Sequence, residues 1–270
     1  MKVNRRLGGI LAIVAALLGL IGHFVLFLNW YEAGMHAESA EPGCEILLET
    51  LHPMLAAFGL VAGVLFAVSA YGFFTKRNWA LFLSVVGLVL ALLGSWFVNV
   101  PFMAAGLPPV YFILFWPYVI LYFAFTVAVG KVSWRRTLLA LGTGMAYIFC
   151  FMNGIASTSR IITQGAPIFS LVRWPHFAAM LGWAAVTVGV LMAPKEWMRV
   201  VGLVAGVTEL AVGIPLAVVT GQELGRFSLF ALAPIACAIL VALFVWPGVW
   251  ERLTAADERK MVSATADAVA

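Results

Sequence analysis

Charge is what this sequence has least of. Only 10% of its 270 residues are Asp, Glu, Lys or Arg, against roughly 25% in soluble domains. With 64% hydrophobic residues, such a chain cannot clothe itself in a hydrated surface, which excludes a soluble globular protein and reads as an integral membrane protein. Cysteine is also scarce: Cys44 falls in a loop, Cys150 and Cys237 in apolar runs, and no C-x-x-C spacing occurs. That argues against a disulfide framework and excludes a C-x-x-C metal site. There is no nucleotide-binding loop, nucleophile elbow, zinc-protease motif or intramembrane retinal-type lysine. The net charge of +4 accompanies no nucleic-acid motif, so a nucleic-acid partner is not expected.

What the sequence does have is long apolar runs. A segment of about 20 apolar residues crosses a hydrocarbon core of roughly 30 Å, and eight such segments lie near 7–29, 51–74, 79–101, 110–130, 137–156, 174–193, 200–220 and 229–247. The fold class predicted is an all-α, polytopic transmembrane bundle whose first partner is the lipid bilayer. Cytoplasmic loops retain Lys and Arg. With the N-terminus inside, 13 of the 16 basic residues fall on the inner side, leaving only Arg160, Arg173 and Arg226 outside, while the first outer loop gathers Glu32, Glu38, Glu41, Glu45 and Glu49. Both termini are therefore expected in the cytoplasm, and the protein in the inner (cytoplasmic) membrane. The first apolar run is too long for a secretory signal and lacks an A-x-A-like site, so it reads as a retained span. Aromatic residues at the run ends, such as Trp30, Tyr31, Trp96, Trp116, Trp134, Trp174, Trp197, Trp246 and Trp250, read as interfacial anchors.

The eight runs resolve into two sets of four. At an offset of 124 residues, FLN (27–29) meets FMN (151–153), and ILLETLH (46–52) meets SLVRWPH (170–176). An Arg pair precedes each set (5–6 and 135–136), and the fourth runs share a proline, Pro117 and Pro234. The organisation expected is a first four-helix repeat over 1–130, a second over 131–250 and a short cytoplasmic tail over 251–270. An even number of spans makes the repeats parallel, related by an axis along the membrane normal.

The polar residues collect on one side. At about 1.5 Å per residue, His23 lies roughly 24 Å from the inner end of the first helix. His52 and His176 open helices 2 and 6 on that outer side, His36 is in the outer loop, and Asn29, Asn99 and Asn153 fall at outer helix ends. Such histidines either anchor helix ends in the headgroup region or serve as ligands, and the matched pair His52 and His176 favours a shared site. Glu49, three residues before His52, should share its face; its counterpart is Arg173, and the two could pair across the axis. Glu209 lies inside helix 7, where an acid costs on the order of 3 kcal/mol and marks a functional position, or else is protonated and bonded to backbone near Pro215.

An E-x-x-H at the outer start of helix 2 (Glu49, His52), a matching His176 at helix 6 and two similar four-helix halves resemble haem A synthase. HFAAMLGW (176–183) is similar to the histidine-bearing helix of haem–copper oxidase relatives. The further histidines of that family have no counterpart, since 110–130 and 229–247 contain none. The resemblance implies a b-type haem between the halves, with His52 and His176 as iron (metal) ligands, Arg160 or Arg173 on the propionates, His23 nearby, and Glu49 as an outer acid or base. The expected function is then haem-binding or redox-associated. Two alternatives stand beside it: a small proton-coupled transporter or permease using Glu209, and a non-catalytic subunit or assembly factor whose acidic first loop binds partner proteins of a membrane complex.

Overall fold

The computed structural model describes residues 3–40, 44–165, 167–225 and 227–254. The expected outer placement of Glu41 and Arg226 and most of the cytoplasmic tail (255–270) lie outside them. Among the described residues there is no strand. That is the outcome hydrocarbon imposes, because without water the backbone must satisfy its own hydrogen bonds.

Seven helices are long and apolar enough to cross a membrane: α1 (Arg5–Glu38), α2 (Glu45–Phe74), α3 (Ala80–Ala104), α4 (Phe112–Val129), α5 (Trp134–Gln164), α6 (Pro167–Met192) and α7 (Glu196–Glu223). An eighth, α8 (Leu229–Val245), is apolar but shorter. The chain is thus a multi-pass helical membrane protein. Its outer faces carry bare apolar side chains, such as Ile113, Ile120, Leu171 and Leu181, each more than 60% exposed. Phe66, Phe102, Tyr118, Phe125, Trp183 and Phe244 are fully buried instead.

Neighbours follow the same order in each half. In the first, α1 packs on α2, α2 on α3 and α3 on α4; in the second, α5 packs on α6, α6 on α7, α7 on α8, and α8 returns against α5. The halves meet where α3 touches α6 and α2 touches α5. At the basic end, Arg136 donates from Nε to Val190 O (2.9 Å) and from Nη2 to Leu191 O (2.8 Å), and Arg199 Nε donates to Phe244 O (2.7 Å). These guanidinium groups satisfy carbonyls that the ends of α6 and α8 cannot pair within their own helices.

Three features differ from the sequence expectation. First, α1 runs on to Glu38 and contains a π-helical turn, Leu18–Gly22. Second, α2 and α6 start six and seven residues earlier than 51 and 174, since hydropathy marks only the hydrocarbon-facing part of a helix, whereas its polar first turns are held by backbone bonds. His52 and His176 accordingly lie inside their helices, followed or preceded by the intrahelical prolines Pro53 and Pro175. Third, Trp250 is not an exposed anchor: it is 4% exposed and meets the Phe244 ring edge-on at 5.0 Å. Trp116, Trp134, Trp174, Trp197 and Trp246 are exposed, as anchors should be, whereas Trp30 and Trp96 are only partly exposed.

Candidate functional site

Each half encloses a polar core to which all four of its helices contribute. In the second half Glu209 of α7, His176 of α6 and Asn153 of α5 are fully buried. His176 Nδ1 and Glu209 Oε2 are 2.8 Å apart. Asn153 Nδ2 donates to Glu209 Oε1 at 2.7 Å and to the carbonyl of Phe230, in the first turn of α8, at 3.1 Å. Both of those partners are acceptors, which fixes the orientation of the Asn153 amide. Gly213, one turn beyond Glu209, is required to be bare: a Cβ there would stand 2.4 Å from Oε1. The thiols of Cys150 and Cys237 lie 4.0 Å apart.

A net charge in the membrane interior is costly, and a carboxyl group in contact with an imidazole is a pair chemically suited to sharing a proton at such depth. His176 Nε2 has no hydrogen-bond partner, nor do Asn153 Oδ1, Ser157 Oγ and Trp183 Nε1. Nε2 is thus the ring atom of the pair left without a partner.

In the first half the corresponding core is aromatic. His52 Nε2 lies 2.7 Å from the hydroxyl of Tyr111, and its ring is boxed by Phe27, Tyr31, Phe102 and Tyr111 at centroid distances of 5.2 to 5.7 Å. The phenol can donate to His52 Nε2 or accept from it, according to the imidazole tautomer. Asn99 Oδ1 accepts the Tyr111 backbone N–H at 2.9 Å and steadies that contact. His23, just past the π-helical turn, stacks on Tyr118 at 6.0 Å with both ring nitrogens unpartnered. It fits only because residue 59 is glycine, where a Cβ would fall 2.1 Å from the imidazole.

The remaining sequence-predicted residues are placed apart from these cores. Glu49 is exposed on α2 while His52 is buried, and no ion pair joins Glu49 to Arg173 among the described residues. Arg173 lies 4.7 Å over the Trp174 ring. Arg160 pairs with Glu223 at 3.1 Å, linking α5 to α7. His36 is exposed, and Asn29, the repeat partner of buried Asn153, is exposed and bonded to Val25 O at 2.7 Å.

A haem shared by His52 and His176 does not fit this arrangement. Every ring contact and hydrogen bond given above for each histidine lies within its own half. Two cavities between the halves, about 630 and 520 Å³, are lined by neither. Among the described residues no three His, Cys, Asp or Glu side chains gather so as to hold a metal ion. Asn153, Cys150, Cys237 and Tyr111 were not singled out from the sequence as site residues; the signal available for Asn153 was its place as the last residue of FMN (151–153), in frame with Asn29 of FLN (27–29).

No family model, curated protein or solved structure matches the chain. Its functional reading therefore rests on its own geometry.

Proposed function

We propose that this membrane protein is a proton-coupled transporter or permease in which His176 and Glu209 form the protonation site. The observation that carries this is the fully buried His176–Glu209–Asn153 cluster at the centre of membrane-spanning helices. Ionisable groups at such depth are expensive to keep and mark ion or proton pathways. The matching neighbour order of the two halves supports the reading of the chain as parallel repeats, with one copy retaining an ionisable core and the other an aromatic one. Reconstituted into vesicles with an imposed potential, the protein should carry protons, and Glu209→Gln should lower the flux at least tenfold. Equal flux in the variant, or none in the wild type, contradicts the reading.

A haem-associated role is the second reading, and one observation favours it. His176 presents an unpartnered Nε2 while a carboxylate holds Nδ1, the manner in which proteins orient an axial imidazole. Protein purified with added haem would then show a Soret band that His176→Ala removes and His52→Ala leaves.

A further inference from the structure

Between the halves, α3 and α6 leave an apolar cleft of about 630 Å³ lined by residues such as Phe82, Val89, Met180, Ala185 and Val188. The cleft ends at the basic end of the bundle, where Lys195 and Trp197 close its lining. There it adjoins a second hollow of about 350 Å³, lined by Arg5, Arg77 and Asn78 together with apolar neighbours, and Met192 lines both. No acidic side chain lines either one. Arg5 is held in place by donating from Nη2 to Asn78 Oδ1 at 3.2 Å. Among the described residues none of Arg5, Arg77 and Lys195 takes part in an ion pair.

We propose that this composite groove is a binding site for an anionic phospholipid, with an acyl chain in the cleft and the phosphate among Arg5, Arg77 and Lys195. The cleft sits in spans that only lipid surrounds, so hydrocarbon is the material available to fill it. The three cations at its end, in no ion pair among the described residues, select the sign of the headgroup, as basic pockets between membrane helices do. The exposed indole of Trp197 beside Lys195 suits the boundary between chain and headgroup. The volume lies within the roughly 300–1,000 Å³ of ordinary ligand sites. The proposal is independent of proton coupling, because neither His176 nor Glu209 lines the groove.

The test is native mass spectrometry of the delipidated protein titrated with phosphatidylglycerol or phosphatidylcholine. Phosphatidylglycerol should bind at least tenfold more tightly. Replacing Arg5, Arg77 and Lys195 together by Gln should weaken it by roughly fivefold per charge, on the order of a hundredfold in all. Ala185→Trp, which keeps the charges and fills the cleft at an exposed position, should weaken it roughly tenfold by taking the chain's apolar contact area. Soluble glycerol 3-phosphate, which offers the phosphate without the chain, should not displace it. Equal binding of the two lipids, wild-type affinity in Ala185→Trp, or displacement by glycerol 3-phosphate overturns the proposal, and the Ala185 variant decides the matter should the triple variant fail to fold.

Discussion

At the scale of single residues, the core of the second half is a set of groups that satisfy one another with little to spare. Glu209 has its two oxygens on Asn153 and His176, and Gly213 leaves it room. Gly213→Ala should displace the carboxylate, lower stability by about 1–3 kcal/mol and weaken proton coupling together, as read by thermal unfolding and flux on one preparation. Asn153→Leu removes the donor and leaves Oε1 buried and unpaired, a loss of about 1–3 kcal/mol. Glu209→Gln should cost less in stability than either. A glutamine of the same shape can still accept from Asn153 and donate to His176, so its loss of flux would report chemistry and not unfolding. A Glu209→Gln protein that unfolds more readily than Asn153→Leu would contradict this assignment of partners.

At the scale of helices, α1 and α2 approach closely enough that glycine decides the contact. A Cβ at Gly19 would lie 2.5 Å from the Gly63 Cα, and one at Gly59 would run into the His23 ring. The G-x-x-x-G pair Gly59 and Gly63 therefore does two things: it admits the backbone of α1 and makes the slot for His23. Gly63→Leu should separate the helices and lower the unfolding temperature, whereas the same change at lipid-exposed Val64 should do little. Seven of the eight expected spans were legible in the sequence because apolar run length is set by bilayer thickness, while the eighth, Leu229–Val245, is apolar but shorter. Helix ends were not, since Glu45 to Thr50 and Pro167 to Arg173 are helical despite polar side chains in their midst. That shift explains the main misplacement at the site. Glu209 and His176 were both recognisable as unusual, but with α6 begun at 174 the histidine stood at the surface, and its partner was sought in His52. Begun at Pro167, α6 carries His176 about 14 Å inward, toward the depth of Glu209. The aromatic box around His52 involves rings from three separate segments, which no local spacing encodes.

At the scale of the whole molecule, two four-helix units with the same neighbour order meet along limited contacts, and their cores are chemically unlike. Tyr111 contacts His52 in one, as Glu209 contacts His176 in the other, so the two histidines have unlike partners. The excess of positive residues at one end of the bundle leads us to propose that both termini are cytoplasmic; reporters fused to each terminus that are active only in the cytoplasm should then both be active, and activity at one terminus alone would refute an even number of crossings. The central claim, that the His176–Glu209 pair exchanges a proton within the membrane, is tested most directly by infrared difference spectroscopy of the reconstituted protein across a pH step. The account predicts carboxyl and imidazole bands that change with pH in the wild type and vanish together in Glu209→Gln, with the imidazole bands alone lost in His176→Ala. A spectrum that is the same in wild type and Glu209→Gln would contradict it.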